Sequence, residues 1–373
     1  RMVVPAGFVG RAHPYRNKPF PFDLVLAPDQ FPLTKEMEEA DAKLTEAVLA
    51  AATELEVTGK ERAEMGEFVT KVKQVLDKML STKDVDYLPN VVLEQYALVG
   101  SYKKDTMLRG HRIADIVVVT KSMPTFEAVA AIGQKMCSEL SDGSGVVSMV
   151  SRDFGLVLTK KEDKVRLLIS TQQSNTASLE KDLHLPLEMI SKNQAAIYHA
   201  KRFEGFSATP EIRKVIRVFK AMRRRFPGLE PINIWALESL IQYCLITTPS
   251  GFSLSAGPAF KRVLSMLSAG IFLPGSSGLG DPVDARFRLC DQLGFDEMDK
   301  ACSTAQTLLR ILSHGGITVL LGQADKIPDI SVEVMDFNGI CIAPLEKAYV
   351  APPVEEKENG EKNGEAAMEA ASA

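Results

Sequence analysis

The chain has 373 residues, of which 45% are hydrophobic and 25% charged, and a formal net charge of −4. Such a composition describes an ordinary soluble globular protein with a sizeable core, built as one large domain or two lobes. Six glutamates and two lysines in residues 351–373 account for the whole net charge. The rest is formally neutral, so overall charge neither demands nor forbids a nucleic-acid partner. The five cysteines (Cys137, Cys244, Cys290, Cys302 and Cys341) and the five histidines are dispersed, without CxxC spacing. That pattern argues against both a disulfide framework and a metal cluster. No run of 18 apolar residues occurs, so no membrane partner is expected.

Residues 1–33, rich in proline, glycine and aromatics, read as an extended arm. A helix is expected over 34–55. A second begins at Thr58, where Thr58-Gly59-Lys60-Glu61 has capping-box spacing and Met65, Phe68, Val69, Val72, Val75, Leu76 and Met79 recur at helical period. Strand patterns then cover 91–99, 113–120, 146–150, 154–159 and 165–170, interrupted by a helix over 124–140. Helical patterns follow at 187–203, 210–225, 232–246, 258–271 and 296–314, the last ending at Gly315-Gly316. A hairpin over 330–335 and 340–343 should turn at Asn338-Gly339. Past Pro352 the tail has no apolar face and is expected to be disordered. The fold class is therefore α+β, a mixed β-sheet lobe with helices over 34–186 and a helical C-terminal lobe over 187–350.

The informative stretch runs from Val99-Gly100-Ser101 through Lys103, Lys104, Thr106, Arg109 and Arg112 to Ile113-Ala114-Asp115-Ile116-Val117-Val118. A strand ends in Gly-Ser, a polar basic loop follows, and a second strand begins with a carboxylate. Glycine lets backbone approach a triphosphate, and a neighbouring N–H and hydroxyl bind its oxygens. Acids at i and i+2 share one strand face and can hold two divalent metals. The stretch resembles the template-independent nucleotidyltransferases, and among them the oligoadenylate synthetases, whose fold is bilobal. Where that family has its first acid, Ile113 stands, while the second is kept as Asp115. The third is expected from residues 164–170, which contain no acid; Glu162 and Asp163 precede them, at what should be an exposed strand start.

Further phrases narrow the resemblance: Arg225-Phe226-Pro227-Gly228, Gly270-Ile271-Phe272-Leu273-Pro274-Gly275, and the run from Thr304 to Gly316. Together with Val99–Lys104 they resemble the DZF domain, the domain associated with zinc fingers. That resemblance implies an inactive transferase with no cofactor, at most binding a nucleoside triphosphate weakly. Vestigial nucleotide contacts would be Gly100, Ser101, Thr106, Asp115 and Lys220. It also implies a nuclear subunit, present also in the cytoplasm, of a complex regulating transcription and splicing. The subunit would pair through its helical lobe with a DZF-domain paralogue carrying double-stranded-RNA-binding domains or zinc fingers, and RNA would be bound mainly by that partner. Phe272, Leu273 and Pro274 are candidates for the dimer surface, or else an element buried against its own lobe.

The helix over 210–225 is the most basic in the chain. Its stripe reads either as a solvated face or as a phosphate-facing wall in which Arg213, Arg217 and Arg224 join Lys103, Lys104, Arg109 and Arg112. Two rival functions stay open at this point: an active transferase using Asp105, Asp115 and Glu162, and a nucleotide sensor without turnover.

Overall fold

The computed structural model describes residues 18–82, 88, 91–141, 145–205, 209–284 and 286–345. The expected acidic tail and the first seventeen residues of the arm lie outside these. In chain order the elements are α1 (Lys35–Glu54), α2 (Gly59–Ser81), β1 (Leu93–Val99), α3 (Gly100–Lys104), β2 (Ile113–Thr120), α4 (Phe126–Leu140), β3 (Ser148–Arg152), β4 (Gly155–Lys160) and β5 (Asp163–Thr171). There follow α5 (Leu187–Glu204), α6 (Pro210–Arg225), α7 (Ile234–Ile246), α8 (Ala256–Ser268), α9 (Phe295–Ser313), α10 (Ile317–Leu321), β6 (Met335–Phe337) and β7 (Ile340–Ile342). The chain forms two compact units, 49–217 and 1–48 with 218–373, so the divisions fall inside α1 and α6.

The first unit is built on a five-stranded mixed sheet of order β1-β2-β5-β4-β3, in which the β2–β5 pair alone is parallel. Alternation along β2 sends Ala114, Ile116 and Val118 into a core with α2 and α4, where Met65, Phe68, Val72, Ile132 and Met136 meet them. Val117 and Val119 point the other way, onto Ile197 and Ala200 of α5. The sheet is thus covered on both faces, and its interior strand β2 reads as a nearly continuous apolar run for that reason. α2 begins as its sequence indicates: Thr58 Oγ1 accepts from the Glu61 amide at 3.2 Å while Glu61 accepts from the Thr58 amide at 2.7 Å.

α5 was expected to open the helical lobe, with a boundary at 186. It instead belongs to the sheet unit, because Asn193 Nδ2 donates to the Phe154 and Ile169 carbonyls at 2.9 and 2.8 Å, and Ser170 Oγ donates to Ile190 O at 2.9 Å. β3 starts at Ser148 and not at Val146, whose side chain is 82% exposed and has no core to join. β5 starts two residues early, at Asp163, which the sequence places at an exposed end. Asp163 is buried, because Arg112 clasps it.

The second unit is helical. Phe219 and Phe260 meet with ring centroids 5.0 Å apart and planes tilted by 39°, and Leu264, Ile271, Leu308 and Ile311 are fully buried in the same unit. Asn233 caps α7 by accepting from the Ala236 amide at 2.7 Å. Trp235 is half-buried, its indole donating to Asp281 at 3.4 Å. The hairpin β6–β7 turns at Asn338-Gly339 with φ of 54° and 80°, the mirror-image turn that the dipeptide favours. It is shorter than its pattern suggested, since only Met335–Phe337 pairs with Ile340–Ile342.

The described part of the arm is anchored on this unit. Asp23 and Arg262 form a buried ion pair, with Arg262 Nη2 donating to Asp23 Oδ2 at 2.7 Å and Nη1 to Cys244 O at 2.8 Å. Tyr243 donates to the same carboxylate at 3.3 Å, and burial with that negative charge pushes its phenol up to about 12. Of the cysteines, Cys244, Cys290 and Cys302 are buried, Cys137 is half-buried and Cys341 exposed.

Candidate functional site

β1 delivers Val99 directly opposite Asp115 on β2, and the chain turns between them at Gly100-Ser101. Gly100 has φ of +68°, and a Cβ there would collide with the Asp115 carboxylate. Glycine is therefore required twice, for backbone conformation and for room. What the sequence suggests as a loop after Gly-Ser is the single helical turn α3, closed by Asp105 in the left-handed region (φ 56°) and by the Thr106 amide donating to Ser101 O at 2.9 Å.

The parallel pairing of β2 with β5 sets Ile113 opposite Lys164 and Asp115 opposite Arg166. These four share the sheet face of Val117 and Leu168. Arg166 Nε donates to Asp115 Oδ1 at 2.5 Å, with side chains 20% and 9% exposed. Where a nucleotidyltransferase carries carboxylates on two neighbouring strands, this chain has an isoleucine, one aspartate and two cations. The donor set does not fit a two-metal centre. A divalent ion needs several anionic oxygens, and here it would have to displace a guanidinium to reach one carboxylate. Among the described residues, no three His, Cys, Asp or Glu side chains gather as a group able to hold a metal. The acids of the rival set are engaged by different arginines: Asp105 by Arg62 at 2.9 Å, Asp115 by Arg166, and Glu162 by Arg112 at 3.4 Å.

Several cations expected on a phosphate surface are turned to internal partners. Arg112, 13% exposed, binds Asp163 at 2.6 and 2.9 Å and Glu64 at 2.5 Å, and those carboxylates hold its pKa above the ordinary guanidinium value. Lys104 is buried, its ammonium 5.6 Å from the centre of the Phe203 ring. Arg213 donates to Lys104 O at 3.2 Å, and buried Arg217 donates to Asp105 O at 2.8 Å. Arg109 donates to Glu56 O at 3.2 Å, and Lys103 pairs with Glu204 at 2.8 Å; both are exposed, as is Arg224. Lys220 lies in the helical unit and is buried, as are Arg217 and Arg223 of the same helix α6. A solvated basic stripe is thus corrected: Arg223 donates to Ile232 O at 2.6 Å and to Glu230 O, and Arg225 to Leu320 O, satisfying backbone carbonyls of their own unit. For Phe272 the second of the two expected readings holds. It is buried in its own unit, whereas Leu273 and Pro274 are half-buried.

The sequence does not single out Arg166, the partner of Asp115, and it places Asp163, the partner of Arg112, at an exposed strand start. The alternation of Lys164 and Arg166 on one strand face was the available signal for the first, once the strand was paired in parallel with β2.

A Gly-Ser turn thus joins the edge strand β1 of a mixed sheet to the acid-bearing β2 beside it, in a protein of α+β architecture. Among solved structures, the chain is similar to the Cid1 poly(U) polymerase at 11% identity, over 73% of this chain and 94% of that one, with a TM-score of 0.49. A second Cid1 structure matches at 11% identity over 77% and 96%, again with a TM-score of 0.49. A cytoplasmic RNA terminal U-transferase matches at 11% over 61% and 70%, with a TM-score of 0.40. The model of the DZF N-terminal domain matches residues 8–208, and that of the DZF C-terminal domain residues 211–343. The chain belongs to the DZF family.

Proposed function

We propose that this DZF chain is a catalytically inactive nucleotidyltransferase-like subunit. It pairs with a DZF-containing partner that bears double-stranded-RNA-binding domains or zinc fingers, and the complex regulates RNA processing and transcription in the nucleus. The observation that carries the inactive reading is the Asp115–Arg166 pair beside Ile113. With one acid left and a guanidinium on it, the charge of a triphosphate and its metals has no protein counterweight of the usual kind, so neither activation of a hydroxyl nor metal-bridged binding is supplied. No cofactor is required. RNA is held mainly through the partner, a reading supported by the internal engagement of Arg112, Lys104 and Arg217.

The decisive assay is incorporation of labelled UTP or ATP onto an RNA primer with magnesium or manganese. No transfer above the protein-free control is expected. Reproducible transfer that disappears in Asp115→Ala overturns the inactive reading. Pairing is tested by affinity capture of the full chain from nuclease-treated extract: an equimolar DZF protein is expected, and recovery of the chain alone refutes the subunit role.

A further inference from the structure

The arm and the start of α1 display a surface that neither the sheet site nor the helical core uses. Within fourteen residues, Phe20, Phe22, Leu24, Leu26, Phe31 and Leu33 are 38–65% exposed. Phe22 and Phe31 pack edge to face at 5.6 Å and still leave 65% and 48% of their surfaces in water. Scattered exposed apolar residues are ordinary, but six large ones in one short segment are not. The segment is also held in place. Asp23 is locked by Arg262 and Tyr243, Phe20 meets the Tyr243 ring at 5.6 Å, and Lys18 donates to Pro274 O at 2.5 Å. An apolar surface whose ordering cost is already met by folding loses less entropy when it binds.

The charge around it is predominantly negative. Exposed Asp29, Glu36, Glu38 and Glu39 flank the apolar residues, against exposed Lys35. Thr34 caps α1 by accepting from the Met37 amide at 3.3 Å, and hydrogen bonds from its own backbone amide and then from the Thr34 hydroxyl hold the Glu36 carboxyl below its ordinary value. That surface repels nucleic-acid phosphate and anionic lipid, and it attracts a cation-bearing apolar segment.

We infer that residues 20–39 form a docking surface for a basic amphipathic helix of a protein partner, the apolar stripe of the helix seating on Phe22, Phe31 and Leu33 and its lysines or arginines facing Glu36, Glu38 and Glu39. The inference is independent of the state of the sheet site.

The test uses the full chain and a fluorescent fourteen-residue peptide of leucine and lysine, with leucines at i, i+3, i+4 and i+7, against a counterpart with glutamate in place of lysine. Anisotropy at physiological salt should show binding of the lysine peptide and none of the glutamate one, with hydrogen-exchange protection confined to residues 20–40. Phe22→Ser with Phe31→Ser should weaken binding at least tenfold. Glu36→Lys with Glu38→Lys and Glu39→Lys should do the same. All five side chains are exposed, so the fold is kept, as an unchanged thermal melt will check. Equal affinity for both peptides, unchanged affinity in both variants, protection elsewhere, or tighter binding to single-stranded RNA or phosphatidylglycerol vesicles than to the lysine peptide each overturns the inference.

Discussion

Replacing Asp115 by asparagine keeps the volume of the side chain and removes the charge that faces Arg166. The carboxylate is 9% exposed and the guanidinium 20%, joined at 2.5 Å. Removing one member of a buried pair costs about 3–5 kcal/mol, because the other is left uncompensated. Partial exposure of Arg166 places this pair near the lower end, roughly 3 kcal/mol. Lys164, on the same strand face as Arg166, adds like-charge repulsion once the acid is gone. Arg166→Met in the same background removes the stranded charge and should restore at least half of the loss, so the two substitutions are non-additive in a double-mutant cycle. The single tryptophan, Trp235, lies in the helical unit and does not report on this site. The measurement is therefore native-state hydrogen exchange of the β2 amides at Ile116–Val119. Equal protection in wild type and Asp115→Asn, or an additive double variant, would refute the view that the pair holds β2 and β5 together at this point.

Gly100→Ala should lower the stability of the sheet unit by about 2 kcal/mol or more in urea unfolding, since it strains a positive φ and drives a methyl into Asp115. Burial, with Lys104 nearby, pushes the His199 imidazole down to about 3, so the folded state holds its proton more weakly than the unfolded one. Its stabilising contribution is present above about pH 6.5 and falls by at most about 1.4 kcal/mol per pH unit as pH drops from there toward 3; His199→Gln should flatten that slope in pH-dependent melts. Arg262→Ala strands Asp23 and should cost about 3–5 kcal/mol, with faster proteolysis within residues 18–33 as the accompanying sign.

Much of the architecture was legible because local chemistry and tertiary context agree. β2 was bounded correctly by its apolar run, α2 by its capping box, and α6 by Pro210 and the break after Arg225. The Gly-Ser turn and the lone Asp115 were legible too, since residue type and spacing carry them. What connects them was not. The partner of Asp115 depends on the β2–β5 register, which two strands separated by more than forty residues do not announce. Helix α6 misled for a different reason: its arginines look like a solvated stripe, but long guanidinium arms can reach carbonyls that no periodicity predicts. Asp163 was assigned to solvent because its one strong partner, Arg112, is distant in sequence.

The distribution of thiols turns the chain into its own unfolding clock. Cys137 is the sole cysteine of the sheet unit, whereas Cys244, Cys290, Cys302 and Cys341 belong to the helical one. An alkylating reagent added under native conditions should modify Cys341 within the dead time. Cys137 then reports openings of the sheet unit, and the three buried thiols report those of the helical unit. Peptide mass mapping of one sample would rank the two units by how often each lets water in, without a label or a substitution.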